Sequence, residues 1–357
     1  MGDRISAVSA RAFELPFVTP FQNSKVRFER ISYVWVEVSC GGITGRGEAT
    51  AMPGYSPETV PSMLAAVNDY LGPAIRGMDP FAETGLEAAG AAALPGNPYA
   101  RSALEMALLE LRAKLLGVPA HVLLGGACHE EIRLGGIVSY DTPERMAAQA
   151  RWWADKGAVA LQVKLIRERA RSAATVAAVR EAVGRDIVVG VDGNGSFTPL
   201  EALRTMEAIA PYGVDFFEQP VPAADLGGMA LLVRKGAIPV VADESLWTAR
   251  DALRLRDAGA AHGFNLKLAK SGIVETRRIM AVADAAGIPY GLGTMLETGL
   301  GTLANVHFAA TLRAPLFPAE AVGPWMVRDD VSGVRLARGS VELSWLVPSG
   351  PGWGGSL

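Results

Sequence analysis

The run Ile31-Ser-Tyr-Val-Trp-Val-Glu-Val-Ser-Cys40 alternates with the period of two expected of a half-buried strand. Gly41-Gly42 then turns the chain into Ile43-Thr-Gly-Arg-Gly-Glu48, so the first forty-odd residues read as an antiparallel sheet. From Tyr99 to Leu115 the apolar positions recur at three and four residues, which predicts a helix ended by Gly117 and Pro119. Residues 1–130 are therefore expected to form a separate α+β domain.

Beyond residue 130 the rhythm changes. Short apolar segments (Leu161 to Leu165, Ile187 to Asp192, Val214 to Glu218, Val240 to Asp243, Gly263 to Lys267 and Pro289 to Thr294) alternate with amphipathic stretches such as Ala173 to Val183 and Glu275 to Ala286. Repeats of roughly 25 to 30 residues, with strands apolar on both faces, predict a parallel (β/α) barrel. No Gly-x-Gly-x-x-Gly turn marks a dinucleotide crevice that would favour an open sheet. The barrel is expected over 131–325, with Glu131 to Val138 as its first strand. The segment 326–357 returns to strand and Pro/Gly turn character from Gly339 onward and is expected to pack against the first domain.

Composition narrows the class without naming a chemistry. Half the residues are hydrophobic, one-fifth are charged, and 40 Gly and 22 Pro occur without a low-complexity tract, as in folded proteins. With 34 Lys plus Arg against 37 Asp plus Glu, the net charge is −3, and no run of one sign is long enough to hold nucleic acid or a membrane surface. Cys40 and Cys128 lack the paired spacing of a zinc or redox motif, and a reducing, cytoplasmic location is expected. The first residues show no secretory or membrane-spanning pattern. Gly2 and Ser6 fit a loose myristoylation pattern that no second membrane signal supports, and Asn194-Gly-Ser196 fits a glycosylation sequon irrelevant to a cytosolic chain.

The candidate chemistry lies where the strands end. Lys164, Asp192, Glu218, Asp243 and Lys267 each close one apolar strand. An ionised group is not tolerated in the middle of a buried strand, so these residues belong at the C-terminal rim, where barrels keep their active sites. Asp192, Glu218 and Asp243 fall on the third, fourth and fifth strands and should sit side by side. Neighbouring carboxylates repel unless a cation joins them, and an all-oxygen set suits Mg²⁺ better than zinc. Lys164 and Lys267 fall on strands two and six, on opposite sides of the mouth. A metal flanked by opposed lysines suits removal of the α-proton of a carboxylate, because the cation neutralises the enediolate as it forms. A divalent cation nearby should bring a lysine towards roughly pKa 7 to 8, where it can act as a base.

At these residues the sequence resembles the enolase superfamily, in its muconate-lactonizing-enzyme-like subgroup. The motifs are Gly45-Arg-Gly-Glu48, similar to the turn of that family's capping domain, Gly96 to Ala107, Leu123-Leu-Gly-Gly126, Val191-Asp-Gly-Asn194, Phe217-Glu-Gln-Pro220, Ala242-Asp-Glu-Ser245 and Asn265 to Gly272. The resemblance spans nearly the whole chain. It implies a modified TIM barrel, (β/α)7β, with an N-terminal α+β capping domain at 1–130, a catalytic barrel at 131–325 and a C-terminal segment returning to the cap at 326–357. It also implies Mg²⁺, or Mn²⁺ in its place, on Asp192, Glu218 and Asp243, with Asn194 and Glu244 supporting the metal shell. Lys164 and Lys267 would be the catalytic pair, Glu297 would sit beside the substrate, and the enzyme would be a homo-oligomer.

Gln162-Val-Lys164 departs from the subgroup's usual Lys-x-Lys and is similar to the branch of hydroxyproline-betaine epimerases and cis-3-hydroxyproline dehydratases. Glu320-Ala-Val-Gly-Pro-Trp325 lacks the Asp-x-Asp of dipeptide epimerases. The expected activity is racemisation or epimerisation of a proline-like or N-substituted amino acid. The alternatives are dehydration of a β-hydroxy amino acid and a muconate-type cycloisomerisation. A Schiff-base aldolase would also carry a strand-end lysine but would need no metal. Tyr55, in the loop Met52-Pro-Gly-Tyr over the mouth, and Trp325 are expected to wall a cationic amine, with Gln162 also at the substrate. His307 reads as an ordinary helical histidine, and the other three histidines lack partners at useful spacing.

Overall fold

The computed structural model describes residues 3–354, so Gly2 lies outside the described residues. Strands β1 (Ile5–Gln22), β2 (Arg27–Cys40) and β3 (Ile43–Ala51) form an antiparallel sheet in that order, with the turn at 41–42 where the glycine pair stands. Helices α1 (Val60–Ala65), α2 (Gly72–Ile75), α3 (Glu83–Ala93) and α4 (Pro98–Leu116) follow. Pro98 opens α4 at a position where its missing N–H costs nothing, and Gly117 closes it in the left-handed region.

Helix α4 packs directly on β3, and this corrects the reading of Gly45 to Glu48 as a turn. The run lies inside the strand, because a Cβ on Gly45 would strike the carbonyl oxygen of Ala107 and one on Gly47 that of Ala103. The glycines let helix and strand backbones approach to near contact.

The barrel strands are β5 (Gly135–Val138), β6 (Ala160–Lys164), β7 (Val188–Asp192), β8 (Phe216–Glu218), β9 (Val240–Ala242), β10 (Gly263–Leu266) and β11 (Tyr290–Leu292), all parallel and hydrogen-bonded in sequence order. Each is followed by a helix: α5 (Pro143–Asp155), α6 (Arg169–Val183), α7 (Pro199–Ile209), α8 (Leu226–Lys235), α9 (Ala249–Ala258), α10 (Leu268–Ala286) and α11 (Gly299–Ala309). Residues 316–320 close the ring: Leu316 N donates to Tyr290 O at 2.7 Å, Glu320 N to Leu292 O at 3.1 Å, and Gly135 N to Ala319 O at 3.0 Å. The architecture is a (β/α)7β barrel behind an antiparallel sheet.

The expected first strand over 131–138 is two strands with different partners. Before β5, the segment β4 (Glu131–Arg133) pairs antiparallel with β12 (Ser344–Leu346), and the chain joins the barrel from Leu134, which bridges Ala319 in parallel. A short helix, α12 (Gly323–Met326), precedes the tail. Near the end of the described chain, Trp353 Nε1 donates to Arg46 O at 3.0 Å, and Ala120 N to Gly352 O at 2.7 Å. Among the described residues no helix is long and apolar enough to cross a membrane.

The tip of the β1–β2 hairpin rests on the C-terminal rim of the barrel. Gln22 N donates to Ser139 Oγ at 2.6 Å and Ser24 Oγ to Gly193 O at 3.0 Å. On the other side, Glu48 of β3 is fully buried and accepts from Trp35 Nε1 and from the backbone N and hydroxyl of Thr298, the N-cap of α11. Burial pushes the Glu48 carboxyl up to about 8, although these donors oppose the rise.

Candidate active site

The five strand-end charges meet at the rim beneath this cover. Lys164 is paired in register with Asp192, and Asp192 with Glu218, so the side chains stand side by side across β6, β7 and β8. Asp243 and Lys267 follow immediately after β9 and β10. All five are buried. Lys164 Nζ donates to Asp192 Oδ2 at 2.6 Å, and Lys267 Nζ to Asp243 Oδ2 at 2.6 Å. Glu218 sits between them and, among the described residues, accepts only from neutral amides, Gln162 Nε2 at 2.7 Å and Asn265 Nδ2 at 2.8 Å.

These partners set the charges. Burial pushes the Glu218 carboxyl well up, and Asp192 and Asp243 push it further. Burial would also raise Asp243, but Lys267 and Lys270 override it and hold the group low. Burial disfavours the ammonium of each rim lysine, yet Asp192 and Glu218 raise Lys164 and Asp243 raises Lys267. In this arrangement the lysines are held protonated, opposite in direction to the lowered value expected beside a cation, because the carboxylates are their direct partners.

Whether the site suits a cation can be judged from its donors. Among the described residues no three acid, histidine or cysteine side chains stand gathered as a ready-made cage, since lysines occupy oxygens of Asp192 and Asp243. The donor set is nonetheless all oxygen, and Glu218 is destabilised as an anion by its two neighbours. Among the described residues, Asn194 Oδ1, Glu244 Oε2 and Asn265 Oδ1 are buried without a partner in the same cluster. Buried orphan oxygens beside mutually repelling acids fit a missing positive charge. Asp192, Glu218 and Asp243 could hold a divalent ion there.

Asn194, in the left-handed region at φ 45°, donates from its backbone N to Asp192 Oδ1 at 2.7 Å and from Nδ2 to Asp192 Oδ2 at 2.9 Å and to Glu244 Oε1 at 3.3 Å. Glu244 lies 3.8 Å from Lys25, and burial beside Asp243 pushes it up to about 7. Both therefore touch the acid trio or its support. Tyr55 donates to Asp243 Oδ2 at 3.0 Å, so the loop does fold over the mouth. Gln162 bridges the site, accepting from Lys164 Nζ at 2.5 Å while donating to Glu218.

Two expectations about substrate contacts are corrected. Glu297 does not face the cavity: its oxygens accept from the Thr294 hydroxyl and from Met295 N at 2.9 Å, bracing the loop after β11. Trp325 does not join Tyr55 in a wall; it packs on Trp345, 4.5 Å between ring centroids, and lines a different cavity from the one that Tyr55 lines. A short helix carries Trp325 past the rim, so nearness in the motif did not become nearness in space.

Four residues join the site that the sequence did not single out. Lys270 is buried and donates to Asp243 Oδ1 at 2.6 Å. Gln219, at φ 30°, accepts from Asp243 N and Ser245 N, each at 3.0 Å, and so shapes the turn after β9. Asn265 holds Glu218. Glu320, on the closing segment, lines the cavity with both rim lysines; burial pushes it up to about 7 although Lys164 and Lys267 pull it down. Its signal was its place at the end of the eighth strand, where the run was noted only for lacking a second acid.

A capped barrel with buried acids and lysines at one mouth defines an enzyme for small-molecule proton chemistry. Known proteins agree. Residues 7–125 match the description "Mandelate racemase / muconate lactonizing enzyme, N-terminal domain", and residues 145–357 match "Enolase C-terminal domain-like". A chloromuconate cycloisomerase of Cupriavidus necator is 30% identical over 354 residues, 98% of this chain and 96% of its own. The structure of a muconate lactonizing enzyme from Pseudomonas fluorescens, complexed with muconolactone, superposes at a TM-score of 0.94 with 29% identity, covering 100% of this chain and 97% of that one. The substrate-liganded L-Ala-D/L-Glu epimerase of Bacillus subtilis superposes at 0.93 with 28% identity, covering 99% and 100%. The chain belongs to the mandelate racemase/muconate lactonizing enzyme family of the enolase superfamily, and it is an enzyme of that superfamily's isomerase kind.

Proposed function

We propose that this enzyme moves a proton at the carbon beside a carboxylate, racemising or epimerising a proline-like or otherwise N-substituted amino acid, with a divalent cation bound by Asp192, Glu218 and Asp243. The observation that carries the reading is that Lys164 and Lys267 line one cavity, each bonded to a different acid of the trio. A Mg²⁺ ion held there, or Mn²⁺ in its place, supplies the charge that stabilises the electron-rich substrate carboxylate as the α-proton leaves.

The chain's own groups do the rest. The carboxylate oxygens that hold the Lys164 and Lys267 ammonium groups are those that would hold the cation, and a lysine freed of its carboxylate partner would act as base once its proton has passed to solvent. One lysine takes the proton from its side of the α-carbon, and the ammonium opposite returns one to the other face. Gln162 steers Lys164, Tyr55 steers Lys267 from 3.3 Å, and Asn194 and Glu244 brace the acids. The hairpin tip and the Met52 to Tyr55 loop exclude water, which strengthens each of these interactions.

Incubating the enzyme with Mg²⁺ and N-alkyl prolines, hydroxyprolines or N-acyl amino acids in D₂O tests this directly. Deuterium at the α-carbon with inversion, abolished by EDTA and restored by Mg²⁺, is expected; no exchange with any of them would remove the reading. A second reading, cycloisomerisation, has the support of the chloromuconate cycloisomerase relative. It requires turnover of muconate or a chloromuconate to a lactone.

A further inference from the structure

The cavity between the two lysines is small, about 30 Å³, closed by Phe21, Met52, Met295 and Leu296. That is room for about two water molecules, since each needs roughly 10–15 Å³ on this measure. A second cavity of about 600 Å³ lies beside it, under the hairpin tip and between α5 and α12, and Ile137 of β5 lines both. Its size is that of an ordinary small-molecule site. Its walls include Tyr140, Trp152, Trp153, Trp325 and Met326.

We infer that this groove is the distal half of the substrate site and takes an uncharged aromatic group attached beyond the reacting carbon. The inference rests on the proton-transfer reading, since it needs a carboxylate head anchored at the rim. Ile137 is common to the two linings, so the groove adjoins the inner cavity at that side chain.

The walls choose the class of ligand. Three of the rings already carry a fixed cation: Arg171 lies 5.2 Å from the centroid of Tyr140, Lys156 4.6 Å from Trp152, and Arg338 5.1 Å from Trp325. A cationic substituent would meet these charges, which rules against the amine cage expected around Trp325. An anionic end would need a free cation on the groove wall, but of the two arginines there Arg27 lies 3.9 Å from Glu29 and Arg145 3.4 Å from Asp141, and both are well exposed and screened. The Trp325 indole N–H is buried with no partner among the described residues, so an acceptor such as an acyl oxygen would satisfy it.

The test compares α-deuteration of N-acetylalanine, N-benzoylalanine and N-succinylalanine. Burying a phenyl ring predicts kcat/KM at least about tenfold higher for the benzoyl than for the acetyl compound. In Trp152→Ala/Trp325→Ala that ratio should fall towards one. Ala148→Trp, at an exposed position on the groove wall, should collapse it by filling the groove without disturbing the core. A ratio unchanged in both variants, or a preference for the succinyl compound, overturns the inference. If none of the three exchanges, the proton-transfer reading is decided by the N-alkyl prolines and hydroxyprolines and not by these compounds. Calorimetry of N-benzoylalanine then decides the groove: binding by the wild type that Ala148→Trp abolishes upholds it, and absence of binding by the wild type ends it.

Discussion

Each rim lysine is bonded to a different carboxylate, so the two should fail differently. Lys164→Ala and Lys267→Ala are each expected to lower racemisation by about 10²-fold or more, as loss of a positioned acid or base does. Each variant should still exchange the α-proton of one enantiomer in D₂O, the one facing the surviving lysine. Equal loss of exchange from both enantiomers in both variants would show that the lysines do not divide the two faces. Glu320 makes a separate claim. Burial pushes it up to about 7, so it is neutral below and anionic above that pH. The kcat/KM profile of the wild type should therefore bend near pH 7, and that bend should be absent in Glu320→Gln.

Among the elements, the segment after β10 carries the most consequence. It bears Lys267 and Lys270, and α4 grips it from the cap side at two points. Ser102 Oγ donates to Leu268 O at 2.6 Å, and the Glu105 carboxylate accepts from Val274 N at 3.0 Å. Between them Gly272 interrupts α10 at φ 77°, where a Cβ would also lie 2.6 Å from Glu105 Oε2. Gly272→Ala should cost about 1–3 kcal/mol for the backbone strain. It should lower kcat more than it raises KM, because the displaced lysine acts on the reaction rather than on binding. Thermal unfolding and steady-state kinetics on one preparation check both. Full activity with only lowered stability would show that the segment does not aim Lys267.

At the scale of the molecule, the tail is fastened by a histidine pair. His121 and His307 approach with Nδ1 atoms 3.0 Å apart, and His307 Nε2 lies 3.0 Å from Trp353 O. With Nε2–H donating to that carbonyl, the Nδ1 of His307 accepts from His121, and a proton on it would break the arrangement. Burial holds His307 down at about 4. The unfolded chain, with histidine near 6.5, binds the extra proton between those values. Stability from this group is therefore full above about pH 6.5 and falls by up to ~3 kcal/mol as pH drops towards 4. Melting curves of wild type and His307→Gln should be furthest apart near pH 7 and converge towards pH 4. A gap that stays constant across that range would show that the pair is not a proton-sensitive fastening.

The sequence by itself determined the alternation of strand and helix and the identity of the rim charges. Both follow from local rules: apolar period sets the element, and a charge that cannot lie inside a barrel strand falls at its end, as Lys164, Asp192 and Glu218 do. The N-terminal antiparallel sheet was legible for the same reason, through β-type alternation and turn residues. Only tertiary structure decided which ammonium holds which carboxylate, that Glu320 closes the ring beside both lysines, and that Trp325 faces an outer groove while Tyr55 reaches Asp243. It also decided that Gly45 and Gly47 serve a helix and not a turn, and that two histidines 186 residues apart in sequence meet. Those outcomes depend on the packing of segments remote in the chain, which no local period encodes.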